Sequence, residues 1–336
     1  MISQSFWFIA LLFIPVLIIS FLISLWILPG WIKRAHEEKL TGTDVHKKDK
    51  RPVAEGGGIS VLTGFIVAVF LYIAIKTFIY HDQSHIIDIF ALFGLVLFSA
   101  IVGLFDDLLG WKKGLSKKLR LTLILFSAVP LMVLNVGQHT VLGIQLGILY
   151  PLLIIPIAVL GATTTFNFLA GYNGLESSQG ILILAALSVA NFITGNWWLA
   201  LISGAYVTAL FAFFLFNKYP AKVFPGDILT YPTGAIIAGI AIVGNMEKFA
   251  LILFVPYILE VILKVRGKLK KESFSKVLDD GSLTLRYDKI YGLEHIAVVL
   301  LKKFKKSKKA YEWEVPILIN IFQLIIILIG FAFFLG

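Results

Sequence analysis

The chain has 336 residues, 58% of them hydrophobic and 15% charged, with a mean hydropathy of +0.89. Soluble domains carry about 25% charged residues, so this composition excludes an ordinary soluble globule and a disordered chain, and the absence of cysteine excludes disulfide frameworks and thiolate chemistry. The 30 Lys and Arg against 20 Asp and Glu give a net charge of +10, but they sit in a few loops between long apolar runs, which marks a charged membrane face and makes nucleic acid unnecessary as a partner.

In chain order, ten segments are apolar enough for helical spans, at roughly 6–28, 57–75, 89–105, 119–135, 148–166, 180–194, 197–216, 228–244, 248–264 and 315–335. The first run lacks a small-residue cleavage site and reads as a retained helix. Ten spans sort the loops onto two sides. One side, with 29–56, 106–120, 167–179, 217–227 and 264–314, holds 28 of the 30 Lys and Arg; the other keeps Lys76 and Lys248. By the positive-inside rule the basic side is cytoplasmic and both termini face away from it. The fold class that follows is an all-α polytopic membrane protein of about ten helices. It forms one domain, 1–336, with 265–314 as a cytoplasmic appendage. Within that appendage, Lys276–Tyr287 reads as a hairpin around Asp280-Gly281, and 289–306 as an interfacial helix ending in lysines.

Chemistry is expected where polar side chains end the cytoplasmic spans, because a carboxylate at mid-bilayer costs about 2.5–3.5 kcal/mol on insertion scales. The topology gathers such groups from distant parts of the chain: Asp44 and Glu55 in the first loop, Asp106-Asp107 after the third span, Asn167, Asn173 and Glu176 after the fifth, and Asp227 before the eighth. Adjacent residues on a helix point about 100° apart, so Asp106 and Asp107 can face different partners. The alternative for this pair is a solvated helix end neutralised by Lys112 and Lys113. In Asn167-Phe168-Leu169-Ala170-Gly171-Tyr172-Asn173-Gly174-Leu175-Glu176, the glycines permit close backbone approach to a ligand. The asparagines offer hard oxygen ligands or base-edge recognition. In Val223-Phe224-Pro225-Gly226-Asp227 a fixed turn delivers a carboxylate to a helix start, where it is either an N-cap or part of an oxygen-rich Mg²⁺ site. The six histidines are scattered, and no cluster of them forms a metal site.

These three motifs, in this order, resemble the polyprenyl-phosphate N-acetylhexosamine-1-phosphate transferases, and within them the eukaryotic and archaeal UDP-GlcNAc–dolichyl-phosphate branch. The resemblance covers nearly the whole chain. It implies transfer of GlcNAc-1-phosphate from UDP-GlcNAc to a polyprenyl or dolichyl phosphate with release of UMP. It further implies Mg²⁺, with Mn²⁺ as the alternative ion, held at Asn167 and Asp227. Asp106 and Asp107 match the catalytic pair, and the basic residue that follows matches Lys118, with Lys117 competing. Gly171 and Asn173 match a uridine-binding loop that Glu176 closes, and Phe224 matches an aromatic beside the uracil. Asp44 and Glu55 match acidic positions of the first loop, while Arg266 and Lys268 stand where the eukaryotic enzyme has an Arg-rich stretch. Thr164 replaces an additional Asn of the eukaryotic motif, and the His cluster of the peptidoglycan branch is absent apart from His295. The expected setting is an archaeal plasma membrane with the site on its cytoplasmic face, in contact with membrane lipids, and with a homodimer left open. A ten-span transporter is the alternative; the one-sided placement of the acidic groups and the lack of a repeat argue against it.

Overall fold

The computed structural model describes residues 2–109, 114–137, 140–141 and 144–335; Lys112 and Lys113 of the sequence reading lie outside them. Helix α1 (Ile2–Glu37) leads into a short hairpin, β1 (Thr41–Thr43) with β2 (Pro52–Ala54), paired Thr41 to Ala54. Then come α2 (Gly58–Ala74), α3 (Ile86–Leu109), α4 (Lys117–Ser127) and α5 (Val129–Val133). A two-residue hairpin, β3 (Thr140–Val141) with β4 (Ile144–Gln145), precedes α6 (Ile155–Phe166). The rest comprises α7 (Leu175–Ile193), α8 (Trp197–Asn217), α9 (Asp227–Val243), α10 (Glu247–Leu253), α11 (Val255–Arg266), hairpin β5 (Lys276–Val277) with β6 (Leu283–Thr284), α12 (Leu293–Phe304) and α13 (Glu314–Leu335).

The protein is an all-α polytopic membrane protein, but among the described residues six helices rather than ten are long and apolar enough to cross a bilayer: Leu12–Glu37, Gly58–Ile79, Ile86–Leu109, Leu175–Ile193, Trp197–Asn217 and Glu314–Phe334. The other four expected segments are shorter or interrupted. Pro130 lies in the first turn of α5 and Pro256 in the first turn of α11, so each segment splits into two helices where the ring removes a backbone donor. Tyr150–Phe166 begins with a π-helical turn, Tyr150–Ile154, that contains Pro151, and α9 has only 17 residues. Exposed Ile14, Ile18 and Leu22 line one stripe of α1, an apolar face suited to lipid.

Helix α9 is the structural axis. Every residue from Ile228 to Ile242 is buried, and the helix packs against α3 on one side and α6 on another. Small residues allow these approaches. A Cβ at Gly103 of α3 would meet the Asp227 carbonyl oxygen at 2.3 Å, and one at Gly234 of α9 would meet the Ala162 carbonyl oxygen at 2.6 Å. Such backbone proximity is how membrane helices associate without a hydrophobic drive between them.

Two expected cytoplasmic elements form. The hairpin pairs Lys276 with Thr284 and turns at Gly281, whose φ is +80°. The expected 289–306 helix is α12, shorter at both ends, with Leu293, Ala297 and Val298 buried. The β1–β2 hairpin was not expected. It matters because Ala54 bridges to Val223, the Phe224 N–H donates to the Ala54 carbonyl at 2.7 Å, and the Gly57 N–H donates to the Phe224 carbonyl at 3.0 Å. The first loop thus clamps the turn that begins α9.

Candidate active site

The Asp106-Asp107 pair, Asn167 and Asp227 meet at the start of α9. Its N-cap residue, Gly226, has no side chain with which to satisfy the helix's free N–H groups. Asp107, from the last turn of α3, does so from outside: Oδ1 accepts the Asp227 N–H at 2.8 Å and Oδ2 accepts the Ile228 N–H at 3.0 Å. Only glycine fits beneath it. Gly226 has φ +70°, and a Cβ there would stand 2.4 Å from Asp107 Oδ2. A carboxylate at this position also complements the positive end of the helix dipole.

Asp106 points elsewhere, as the roughly 100° turn between neighbours requires. It accepts the Leu115 N–H at 2.8 Å and the Tyr231 hydroxyl at 3.1 Å, and it pairs with Arg120 Nε at 2.9 Å. Asp227 Oδ1 accepts from Asn167 Nδ2 at 3.0 Å, while Asn167 Oδ1 accepts the Thr230 hydroxyl at 3.2 Å. Three carboxyl groups, an amide and two hydroxyls therefore converge, with Arg120 as the cation in ion-pair contact among the described residues. This oxygen-rich set, short of positive charge, suits a hard divalent ion, for which imidazole or thiolate is not needed.

The remaining expected residues divide. Lys117 and Lys118 at the start of α4 are exposed, as are Arg266 and Lys268 at the end of α11. The basic residue brought to the carboxylates is instead Arg120, three positions after Lys117 and thus on the same face of α4. Glu55 flanks the clamped turn; partial burial raises its carboxyl above the usual range. Phe224 is half-buried in that turn. Glu176 is spent on its own loop, its Oε1 accepting the Gly171 N–H at 2.9 Å. Gly171, at φ +102°, lies so close to Phe274 that a Cβ would meet the ring at 2.6 Å.

Asn173 belongs to a second buried group. Its Nδ2 donates to Asp44 Oδ2 at 3.0 Å and its backbone N–H to Glu312 Oε1 at 3.4 Å. His46 stacks on Tyr172 with ring centroids 4.2 Å apart, and its Nε2 accepts the Ser275 N–H at 3.2 Å, which leaves the proton of the neutral ring on Nδ1. That nitrogen faces Glu312 Oε1 at 3.9 Å. Burial pulls the His46 ring down to about 4. Burial first, and Asp44 second, push the Glu312 carboxyl up to about 8. The ligand atoms of Asp44, His46 and Glu312 lie within 4.8 Å of one another, so this set could also coordinate a divalent metal. Sequence reasoning did not find Arg120, Tyr231, His46 or Glu312 for the site, because none carries a motif and each is recruited by packing.

Residues 89–245, which hold all three motifs, match the family model described as glycosyl transferase family 4. A Saccharolobus solfataricus protein is 36% identical over 305 residues, 87% of this chain and 89% of its own length. The chain belongs to glycosyl transferase family 4. That relative carries the provisional name UDP-N-acetylglucosamine–dolichyl-phosphate N-acetylglucosaminephosphotransferase, as does a Sulfolobus acidocaldarius protein 31% identical over 86% of this chain and 88% of its own. A phospho-N-acetylmuramoyl-pentapeptide-transferase of Streptococcus pyogenes is 30% identical over 72% of this chain and 76% of its own. Within the family 4 match lie Asp106, Asp107, Asn167, Asn173 and Asp227; Asp44 and Glu312 of the second group lie outside it.

Proposed function

We propose that this family 4 chain transfers GlcNAc-1-phosphate from UDP-GlcNAc to a polyprenyl phosphate of the dolichyl type and releases UMP. The observation that carries this reading is the convergence of Asp106, Asp107, Asn167 and Asp227 from three separate helices on the entrance of α9. The relatives' names supply the substrate class. We further place the site on the cytoplasmic face of a prokaryotic plasma membrane, within a ten-segment topology whose termini lie on the opposite side. The 28 basic residues of one loop set support that orientation.

In the reaction, an oxygen of the lipid phosphate attacks the β-phosphorus of UDP-GlcNAc. The bond from that phosphorus to the bridging oxygen breaks, and the electron pair leaves with UMP. A phosphate monoester has its second pKa near 6, so the nucleophile is largely ionised at neutral pH and asks little of a general base. The work left to the protein is positioning and charge neutralisation. Asp107 fixes the first turn of α9 and so aims Asp227; Asp106 and Tyr231 hold Arg120 and the start of α4 against the same point. Asn167 and Asp227 would hold Mg²⁺ or Mn²⁺, which neutralises diphosphate charge when bound. Gly171 and Asn173 would receive the nucleobase, beside Phe224.

The test is UMP release by Asp227→Ala in detergent with UDP-GlcNAc, polyprenyl phosphate and Mg²⁺. Release at least about 1,000-fold below the unsubstituted protein is expected, a loss of about 4 kcal/mol of transition-state stabilisation, with an unchanged gel-filtration profile. Turnover within a few-fold of the unsubstituted protein removes Asp227 from the reaction.

A further inference from the structure

The Asn173 amide has one hydrogen-bonding face fixed by the protein and one left over. Nδ2 lies 3.0 Å from Asp44 Oδ2. That carboxylate is ringed by donors, with the His46 backbone N–H at 3.1 Å on Oδ1 and Lys47 Nζ at 2.9 Å on Oδ2. A carboxylate so surrounded only accepts, so the Asn173 atom facing it is the NH₂ group, and the orientation of the amide follows from chemistry alone. The opposite orientation would put two acceptors in contact. The backbone is held as well: Glu312 Oε1 accepts the Asn173 N–H, and the adjacent Tyr172 donates its hydroxyl to Ser275 Oγ at 2.9 Å while stacking on His46. The carbonyl oxygen Oδ1 receives no hydrogen bond from the described residues and is not among the sealed-off atoms.

We propose, resting on the reading above that this loop receives the nucleobase, that Asp44 fixes the Asn173 amide with its carbonyl oxygen outward and thereby selects uracil over cytosine. Uracil carries a proton on its N3 and can donate to Oδ1. Cytosine presents a bare N3 acceptor at the same edge, and two acceptors at hydrogen-bond distance repel. A site built to receive a donor rejects the analogue that lacks it more strongly than an apolar pocket rejects a missing methylene. Asp44 and Lys47 are positioning residues in this scheme: neither contacts the base, and both act through the amide of Asn173. Glu312 and His46 hold the loop in which that amide sits.

The experiment compares the full-length protein with Asp44→Asn and Lys47→Gln. Calorimetry in detergent measures the affinity for UMP and CMP, and steady-state assays measure kcat and KM for UDP-GlcNAc and CDP-GlcNAc. An asparagine at 44 can present either a donor or an acceptor, so it releases the amide to turn over. The uridine-to-cytidine preference is expected to fall about tenfold in Asp44→Asn and about threefold in Lys47→Gln, with the change carried by KM rather than kcat. Lys47 is partly exposed, so its replacement keeps the question open if Asp44→Asn does not fold. An unchanged preference in the folded variants overturns the inference, as does equal binding of UMP and CMP by the unsubstituted protein. Absence of GlcNAc-phosphate transfer alongside selective UMP binding would instead overturn the assigned reaction and leave the amide argument standing.

Discussion

Two acidic groups meet the β1–β2 loop of this protein and are built in opposite ways. At the α9 entrance, Asp106 pairs with Arg120, Asp107 accepts two backbone N–H groups of the first turn of α9, and Asp227 accepts from Asn167. Around Asn173, Asp44 and Glu312 are nine-tenths or more buried, and the group as a whole is assembled from four separate stretches of chain, at 44–47, 172–173, 275 and 312, with the imidazole of His46 and the Lys47 ammonium among the partners. The first group holds its carboxylates on the rigid ends of two helices, α3 and α9, with Asn167 at the end of α6 donating to Asp227. The second uses Asp44 and Glu312 Oε1 to hold loops together. Placement on helix ends suits a site that must bind and release charge, because the geometry survives when the charge changes. Placement in a closed hub suits recognition, where one orientation of one side chain has to persist.

The contrast breaks most readily at Asp107, which belongs to the first group but does a structural task. Asp107→Ala removes the acceptor for two backbone N–H groups at the start of α9, and loss of a cap costs about 0.5–2 kcal/mol. We expect UMP release to fall by at least about 100-fold, because Asp227 is the first residue of that helix, together with a lower melting temperature in detergent. Asp107→Asn keeps one acceptor and should recover part of the stability. A melting temperature unchanged in the alanine variant would mean that Asp107 does not cap α9, and the division of labour within the pair would have to be redrawn.

How much of this arrangement could be read from the amino-acid string depends on the range of the interaction. The apolar segments and the one-sided basic loops are local signals, and they placed Asp44, Asp106, Asn167, Asn173 and Asp227 at a common end of the chain's helices. Helix interruption was also written locally, in Pro130, Pro151 and Pro256, but an apolar window does not register a ring that removes one donor. Lys118 and Arg120 are both basic and two positions apart, so spacing from Asp107 could not choose between them; the packing of α4 against α3 turns Arg120 toward Asp106. Glu312 lies 139 positions from Asn173, and no periodicity links them. His46 is recruited by the stack on Tyr172 and by the Ser275 N–H, contacts with no counterpart in any short motif.

The choice between the two basic residues can be sharpened directly. Arg120→Met leaves Asp106 with Tyr231 and the Leu115 N–H but without its counter-ion, and we expect kcat for UMP release to fall about 10- to 100-fold. Arg120→Lys keeps the charge but not the planar fork and should recover only part of that loss. Lys118→Met, made in parallel, removes an exposed charge at the start of the same helix. A larger loss at 118 than at 120 would return the role to Lys118 and would show that the cation reaches the substrate rather than Asp106.

The smallest expected effect concerns the hub and is a matter of pH. The Glu312 carboxyl sits at about 8 in the folded protein, above its ordinary 4.5, because burial and Asp44 oppose its charge. Folding therefore favours the protonated form, and stability that is whole below pH 4.5 drains away as the pH rises toward 8. His46 works in the other direction. Burial holds its ring at about 4 against an ordinary 6.5, so folding favours the neutral ring, and that contribution is present above pH 6.5 and lost as the pH falls toward 4. The two arms overlap between 4.5 and 6.5, and the hub should be most stable there. Glu312→Gln keeps an acceptor for the Asn173 N–H and removes the charge. Thermal melts of that variant in detergent from pH 6.5 to 8, where the His46 contribution is already complete, should be flatter than those of the unsubstituted protein, which should lose a few degrees toward pH 8. Parallel curves would mean that Glu312 is ionised without cost in the folded protein. A compensating cation would then have to lie on its Oε2, which has no hydrogen-bond partner among the described residues, and the hub would be a cation site rather than a purely hydrogen-bonded one.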